Sequence, residues 1–345
     1  MLALWGVLDR RLSRSTRIAL VVTPLLYLLF WLGLTAWAHE SHQVFAGETH
    51  VAAESDISSS RFKIWSDTLS LIAQHPWLGV GFGEFNFAWS LTPFPHRPVA
   101  FFDHTHNLPL QFAVELGLPL ATLVLALLTY ALWRAYAAGR DASGPRASLL
   151  RAAFMMVLMM AVHSQLEYPL WYAYFLLPTA FAFGLCLGGG TPRFSVRPLA
   201  FAATLMLAGS LLSVLDYLRV VVIFAPPADA APLAERIASG QRSVFFAHHA
   251  DYAAATTAEH PSDAMPSFRV ATHYLLDTRL MMAWATALHE TGDDERARHI
   301  AQRLREFRNE DSKPFFEPCD APKPAEPLPF QCTPPSRAMD YRDFR

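Results

Sequence analysis

The stretch ATLVLALLTYALW, residues 121–133, decides the fold class of this chain. It carries no charged side chain, and it ends an apolar run from Leu108 to Trp133 in which Glu115 is the one charged residue. About 20 apolar residues are enough for a helix to cross the hydrocarbon core of a bilayer. The chain is therefore expected to be an integral membrane protein.

Further apolar runs lie on both sides of this segment. Hydrophobic residues make up 52% of the chain and charged residues 17%, against about 25% charged in an average soluble domain. We predict additional spans at residues 18–38, 152–163 (extended to Leu149), 170–187 and 199–215. The expected fold is all-α: a polytopic membrane helical bundle of about five transmembrane helices, with a C-terminal helical extracytoplasmic domain.

The first span, Ile18 to Ala38, has a competing interpretation as a secretory signal. Arginines precede it, and Ala36-Trp37-Ala38 resembles a cleavage site. Signal cores are usually about 7–15 residues long, shorter than this run. We therefore predict a membrane anchor.

The distribution of arginine predicts the orientation. Five spans create alternating sides, and short cytoplasmic segments are enriched in Lys and Arg. One side holds Arg10, Arg11, Arg14, Arg17, Arg134, Arg140, Arg146, Arg151, Arg193 and Arg197, and the other side, before the C-terminal domain, holds Arg61, Lys63 and Arg97. We expect a multi-pass membrane protein in which residues 39–107, the turn around Glu167 and everything after about residue 225 lie outside the cytoplasm.

These boundaries give a predicted organisation in six parts. They are a cytoplasmic basic N-terminus (1–17), a first span (18–38), an extracytoplasmic loop (39–107), four spans (108–224), a helical domain (225–312) and a Pro-rich tail (313–345). Within the helical domain, residues 280–307 read as helix, Gly-Asp turn, helix, which is typical of a tetratricopeptide-like pair. The prolines of the tail predict an extended or disordered segment.

Cys319 and Cys332 lie in that tail, on the side where disulfides can form. A bridge between them and two free thiols are both open. Cys186 lies within an apolar span and is expected to be inert.

The extracytoplasmic loop contains two notable motifs. The glycines of GVGFGEF (79–85) do not follow the spacing of a dinucleotide-binding loop, and we predict a turn in which the backbone packs closely or meets a ligand. At the end of the loop, Asp103, His104 and His106 lie beside Asn107. A metal is one interpretation, but no third His or Cys stands at a recognisable spacing, so we predict neither metal nor cofactor.

Polar residues also mark the outer ends of the spans. Asn107, Gln111 and Glu115 follow a helical i, i+4, i+8 pattern on one face. Ionisable groups in a span are costly and usually face a bundle interior or a wet cavity, so Glu115 is a candidate site residue. A second set, His163, Gln165 and Glu167, interrupts the third and fourth spans on the same side. We expect both sets to converge at one membrane surface.

Together these motifs resemble a known family. Arg61 followed by Trp65, then HPWLGVGFGEF and HTHNLPLQFAVELG, resembles the C-terminal half of the O-antigen ligase and polymerase superfamily. HSQLEYPLWYAYFLLP (163–178) is similar to the branch of protein O-oligosaccharyltransferases and membrane-bound virulence-factor polymerases. The resemblance covers roughly residues 60–225 and implies an enzyme that takes a glycan from an undecaprenyl-diphosphate carrier and passes it to an acceptor.

The resemblance also implies roles for particular residues. The family's diphosphate-binding arginine matches Arg61 and its essential loop histidine matches His106, with Glu115 as a third catalytic candidate. A forked, permanently charged guanidinium suits a diphosphate, and a neutral imidazole suits a general base near pH 7. The predicted substrate-binding residues are Asp103, His104, Asn107, Gln111, His163, Glu167 and Tyr168.

The expected partners are the lipid-linked glycan, membrane lipid, and an acceptor that is a protein Ser or Thr, lipid A core or a growing polysaccharide. A net charge of −2 gives no reason to expect nucleic acid. Family members have about twice as many spans, so we expect this chain to act as part of a longer enzyme. The alternative is a non-catalytic membrane-anchored adaptor, or a truncated relic, with a protein-binding helical domain. A transporter is a more distant alternative, since no inverted repeat is seen.

Overall fold

A computed structural model describes residues 2–10, 12–41, 61–95, 97–98, 102–188, 196–320 and 327–345. Within these ranges the chain forms fourteen α-helices and five short 3-10 helices, and no strand. The all-α prediction is confirmed. Most of the polar loop expected at 39–60 lies outside the described residues, as does Arg193.

The chain divides into two compact units, Met1–Phe62 and Lys63–Arg345. The first contains α1 (Leu2–Leu8) and α2 (Arg14–Ser41). Arg17 Nε donates to the carbonyl of Gly6 at 2.8 Å, which holds α1 against the start of α2. The section Arg14–Ala38 is apolar and long enough to cross a membrane, as expected for an anchor.

The second unit begins within α3 (61–74) and contains the other apolar helices, α5 to α8. Three of these have the length and composition of membrane spans: α5 (Leu108–Asp141), α6 (Gly144–His163) and residues Ala200–Phe224 of α8 (Val196–Phe224). The fourth predicted span forms α7 (Ala173–Leu187), which is only 15 residues long because its first residues form the 3-10 turn Pro169–Trp171. The chain is thus a multi-pass membrane protein with four long apolar helices and one short one among the described residues.

Small residues mediate the packing of α5, α6 and α7. Ala135, Ala153 and Ala182 are buried together with Val157 and Cys186. Small side chains let helices approach closely where lipid supplies no hydrophobic driving force between them. The remaining faces expose large apolar side chains, as lipid-facing surfaces do.

The rest of the second unit is a helical layer outside the spans. Its helices are α3, α4 (Phe85–Leu91), α9 (Leu233–Gly240), α10 (Ala247–Thr257), α11 (Met265–Ala271), α12 (Thr278–Glu290), α13 (Asp294–Phe307) and α14 (Lys313–Asp320). Ile64, Trp89, Phe268, Trp284 and Phe307 belong to one buried cluster. The loop and the C-terminal domain, which we predicted as separate segments, therefore share a single core.

Arg97 ties these two segments together. Its Nε contacts the carboxylate of Glu306 at 3.1 Å and its Nη1 donates to the Trp89 carbonyl at 2.8 Å. The guanidinium also lies 4.6 Å from the centroid of the Phe307 ring. Burial lowers the pKa of Arg97 to about 10, so the side chain stays charged at neutral pH.

The apolar face of α3 differs in part from the one that the sequence suggests, in which Phe62, Trp65, Leu69 and Ile72 recur at helical spacing. Ile72 is buried and Trp65 packs against the core, but Phe62 and Leu69 are 71% and 55% exposed. The fully buried apolar residues are Ile64 and Leu71. Both sets have helical periodicity, so the pattern alone could not distinguish them. The shared core with the C-terminal domain selects the face.

The predicted helical pair is present as α12 and α13. Asp277 and Asp293 cap the two helices, each accepting a hydrogen bond from a backbone N–H in the first turn. Ala297, Ile300 and Leu304, the residues at core spacing, are fully buried.

The Pro-rich tail is folded, which corrects the expectation of an extended or disordered segment. Its described residues form α14 and two 3-10 turns, and a disulfide joins Cys319 to Cys332. Tyr341 is buried in the shared core, with its ring 5.5 Å from that of His75. Proline limits local helix formation, but Phe316 and Tyr341 anchor the segment in the core, and the bridge closes a loop within it.

Glycines allow the turn that follows α3 to lie directly on α5. Gly79 has a positive φ of 66°, and a Cβ there would lie 2.5 Å from the Glu115 backbone. On the facing side Gly117 has φ 76°, and a Cβ there would lie 2.3 Å from the Trp77 carbonyl oxygen. Of the two interpretations of GVGFGEF, close backbone packing is the one observed. Only glycine fits both positions without strain.

Candidate active site

The candidate site is built where the loop enters α5. Asn107 is the N-cap of this helix, and its side-chain oxygen accepts a hydrogen bond from Leu110 N at 3.0 Å. Pro109 follows in the first turn, where a missing N–H costs nothing. The helix thus begins at Leu108, so His106 precedes it.

The turn between α6 and α7 docks against this helix start. Leu108 N donates to the Ser164 carbonyl at 2.8 Å, and Asn107 Nδ2 donates to the Gln165 carbonyl at 3.0 Å. These bonds bring the HTHN segment (104–107) into contact with the turn that leads into the EYPLW segment (167–171). The sequence predicted that both polar sets lie at one surface; their direct contact is a finding of the structure.

His106 and Glu167 form the central pair of the site. His106 Nδ1 lies 2.9 Å from Glu167 Oε2, although the two residues are 61 positions apart. The His106 side chain is 13% exposed and that of Glu167 is 35% exposed. A carboxylate at one ring nitrogen favours the tautomer with the proton on that nitrogen, which leaves the lone pair on Nε2. The pair has the geometry of an oriented general base.

The backbone at His106 is in an unusual conformation. Its φ of 53° lies in the left-handed region, one of two such non-glycine residues in the described chain. Strain of this kind costs about 1–3 kcal/mol and persists where the surroundings fix it. Here Thr105 is fixed on both sides: its N–H donates to Gln111 Oε1 at 2.9 Å and its carbonyl accepts from Trp65 Nε1 at 2.8 Å.

Aromatic rings enclose the pair. The Tyr168 ring stacks on His104 with centroids 4.5 Å apart and meets His106 edge-on at 5.0 Å. Trp171 lies edge-on to His104 at 5.0 Å, and Phe102 lies edge-on to His106 at 5.3 Å. These contacts restrict the rotation of both imidazoles.

A second carboxylate lies next to this cluster. Asp103 Oδ1 is 2.9 Å from His104 Nδ1, an ion-pair distance without good hydrogen-bond geometry. Burial acts to raise the pKa of Asp103, but contact with His104 outweighs it and the pKa is lowered. The pKa of Tyr168 is raised by its hydrogen bond with Tyr172 and by burial, so its hydroxyl stays protonated.

The other predicted site residues take different positions. Glu115 is buried and contacts the glycine turn, with Phe85 N 3.4 Å from its Oε1. His163 ends α6 with an exposed ring 6.3 Å from that of Phe175, and its described contacts do not include His106. Arg61 lies at the start of α3 with a half-buried side chain, in the first of the two compact units.

Two supporting residues were not singled out from the sequence. Thr105 is fully buried and fixes the backbone beside His106, and Trp171 lines the site through His104. The signal for Trp171 was its place in the EYPLW motif. Thr105 gave no signal, because a threonine between two histidines is unremarkable until its neighbours are known. Among the described residues no three His, Cys, Asp or Glu side chains are arranged to hold a metal ion.

Comparison with known protein families agrees with these motifs. Residues 1–125 match the O-antigen ligase family, and residues 151–314 match the C-terminal region of the virulence factor membrane-bound polymerases. Each match covers less than half of the chain. The first match contains His106 and the second contains Glu167, so the central pair of the site joins them.

Two curated relatives from Acinetobacter baylyi are similar to parts of the chain. A general O-oligosaccharyltransferase is 32% identical over 136 residues, and a ComP-specific O-oligosaccharyltransferase is 30% identical over 129 residues. These matches cover 39% and 37% of this chain but only 23% and 22% of the relatives. No solved structure matches the chain. The resemblance to the O-antigen ligase family and, distantly, to the O-oligosaccharyltransferases is thus confirmed.

Proposed function

We propose that the protein transfers a glycan from an undecaprenyl-diphosphate carrier to an acceptor hydroxyl. The observation that carries the proposal is the contact between His106 and Glu167, which pairs an imidazole with a carboxylate across two family motifs. The relatives named O-oligosaccharyltransferases support an oxygen acceptor. A protein Ser or Thr, lipid A core and a growing polysaccharide all provide one.

His106 acts as the general base in this proposal. Its Nδ1–H donates to the Glu167 carboxylate, and its Nε2 removes the proton from the acceptor hydroxyl. The oxygen attacks the anomeric carbon of the lipid-linked sugar as the bond from that carbon to the diphosphate oxygen breaks. The diphosphate leaves with the carrier lipid, and Glu167 stabilises the imidazolium that forms at His106.

Arg61 is the proposed diphosphate ligand. A lipid diphosphate is already a good leaving group, so the enzyme chiefly supplies fixed positive charge for the developing phosphate oxygens. A guanidinium offers two parallel N–H donors to such oxygens. The family match that includes Arg61 supports this role.

Glu115 receives no catalytic role here. Its carboxylate faces the glycine turn and its backbone carbonyl accepts from Gly81 N at 3.1 Å. These contacts favour a role in holding the loop on α5.

We place the reaction on the periplasmic side of the bacterial inner membrane. The arginine-rich ends of the spans favour the cytoplasm, and the His106 site lies at the opposite ends. The Cys319–Cys332 disulfide in the helical layer supports an oxidising compartment.

Glycan transfer in the natural host tests this proposal. His106→Asn is expected to abolish transfer, while His289→Asn, which alters another His–carboxylate pair at 2.6 Å on the far α12–α13 pair, keeps it. Arg61→Lys should retain little activity, because an ammonium keeps the charge but loses the forked donor geometry. Wild-type transfer by the His106 variant would favour the non-catalytic adaptor.

A further inference from the structure

Two short turns of the helical layer expose large apolar side chains. In the first, residues 77–82, Trp77 is 75% exposed, Leu78 85% and Phe82 81%. In the second, residues 243–245, Val244 is 78% exposed and Phe245 49%. A water-soluble surface rarely concentrates side chains of this size, so the turns require a partner.

The first turn is attached to the outer part of α5. Val80 N donates to the Val114 carbonyl at 2.8 Å, and Leu118 N donates to the Pro76 carbonyl at 2.8 Å. Leu118 and Leu120, the next apolar residues of α5, are themselves about half exposed. The exposed side chains of the turn therefore continue the lipid-facing surface of a span.

The second turn is attached to α8 in a similar way. Asp216 accepts from Ser243 Oγ at 2.7 Å and from Phe245 N at 2.9 Å. Leu215 and Leu218 on either side of Asp216 are 55% and 52% exposed. Asp216 is buried, because the loop wraps around it.

A count of residues along each helix gives the two attachment points a similar depth. A helix crosses the hydrocarbon core in about 20 residues. Counted outward from Arg134, at the arginine-rich end of α5, this length ends near Val114, just beyond the kink at Gly117 where the helical backbone is interrupted. Counted outward from Arg197 on α8, it ends near Tyr217. On this count both turns meet the spans near the expected outer boundary of the hydrocarbon core, where aromatic side chains favour the interface.

We propose that the turns 77–82 and 243–245 insert into the outer leaflet and seat the helical layer on the lipid. The occupant of both surfaces is the bilayer itself, since each turn is continuous with a lipid-facing helix. Such insertion fixes the height of the layer above the membrane. It is independent of the chemistry proposed for His106.

Spin-label accessibility tests this seating. The full chain carries one free cysteine in its described residues, Cys186, because Cys319 and Cys332 are bridged. In a Cys186→Ala background, Phe82→Cys and Phe245→Cys would each be labelled with a nitroxide. The protein would be placed, one copy per disc, in nanodiscs of phosphatidylethanolamine and phosphatidylglycerol.

The measured quantity is the ratio of collision with O₂, which concentrates in lipid, to collision with a water-soluble nickel complex. Leu211→Cys on α8 is the lipid control, and Glu310→Cys, exposed on the helical layer, is the water control. The ratio at Phe82 and Phe245 is expected to be several-fold above that at Glu310 and to approach that at Leu211. A ratio equal to that at Glu310 at either position overturns the proposal. Spin–spin broadening in discs with two copies, together with a water-like ratio in single-copy discs, would instead show a second chain as the partner and also overturn it.

Discussion

Replacement of Glu167 by glutamine tests the proposed base most directly. The substitution keeps the size of the side chain and leaves an oxygen that can still accept from His106 Nδ1, but it removes the negative charge 2.9 Å from the ring. The charge contributes most when the imidazole becomes protonated in the transition state. The effect should therefore fall on kcat rather than on KM for the lipid-linked glycan.

The size of the effect follows from the exposure of the pair. A hydrogen bond to a charged group contributes about 1.5–3 kcal/mol, and a neutral one about 1 kcal/mol. Because the Glu167 side chain is 35% exposed, solvent screens part of its charge. Glutamine keeps the neutral bond, so the loss is the difference, about 0.5–2 kcal/mol, which is roughly a 2- to 30-fold decrease in kcat at about 1.36 kcal/mol per tenfold.

The chain offers a matched control in a second Glu–His pair. Glu84 lies 2.9 Å from His273 Nδ1, and both side chains are partly buried. Glu84→Gln is expected to change thermal stability slightly and to leave kcat near wild type. Transfer would be measured with lipid-linked glycan and acceptor at equal amounts of folded protein. The reasoning is refuted if Glu167→Gln retains wild-type kcat, or if both variants lose activity equally.

Three further substitutions, the first with a matched control, test the fold. Gly117→Ala forces a Cβ to 2.3 Å from the Trp77 carbonyl oxygen and should lower the free energy of unfolding by at least about 2 kcal/mol. The control Gly209→Ala has open space around it and should not lower the unfolding temperature. Cys319→Ser is expected to cost about 3 kcal/mol by opening a loop of sequence separation 13, and a reductant should lower the unfolding temperature of the wild type but not of this variant. Burial lowers the pKa of His299 to about 4 in the folded protein. Below pH 6.5 the unfolded chain therefore binds a proton at this histidine before the folded protein does. The free energy of unfolding is unaffected by His299 above pH 6.5 and falls by up to about 3 kcal/mol as the pH drops towards 4. In His299→Gln the amide keeps an N–H donor for the Leu91 carbonyl. The free energy of unfolding of this variant should depend less steeply on pH than that of the wild type. Equal slopes would contradict the lowered pKa of His299.

Local patterns were sufficient for the parts of the fold that form within one segment. The α12–α13 pair followed from helical spacing and a Gly-Asp turn, and its core residues Ala297, Ile300 and Leu304 are buried as expected. Apolar run length identified the long spans. It overestimated the fourth span, since Pro169 begins a 3-10 turn and delays α7 to Ala173.

Long-range packing determined two features that local sequence patterns did not predict correctly. The tail was expected to be disordered because of its prolines, but Tyr341 is buried and Ser336 donates to Glu295 at 2.7 Å. Helical spacing suggested one apolar face of α3 with Phe62, Trp65, Leu69 and Ile72. Phe62 and Leu69 are exposed instead, and Ile64 and Leu71 enter the core beside Ile72. Both differences arise from contacts with segments far away in the chain.

The sequence by itself determined that this protein is helical, that it crosses the membrane, and that polar residues gather at the arginine-poor ends of its spans. These properties depend on hydrophobic length and periodicity, which each segment carries alone. Only the tertiary structure decided that His106 meets Glu167, that Glu115 faces the glycine turn, and that the loop and the C-terminal domain share one core. Such contacts depend on how separate helices pack, and packing is settled by shape and burial across the whole fold rather than by the order of residues within any one stretch.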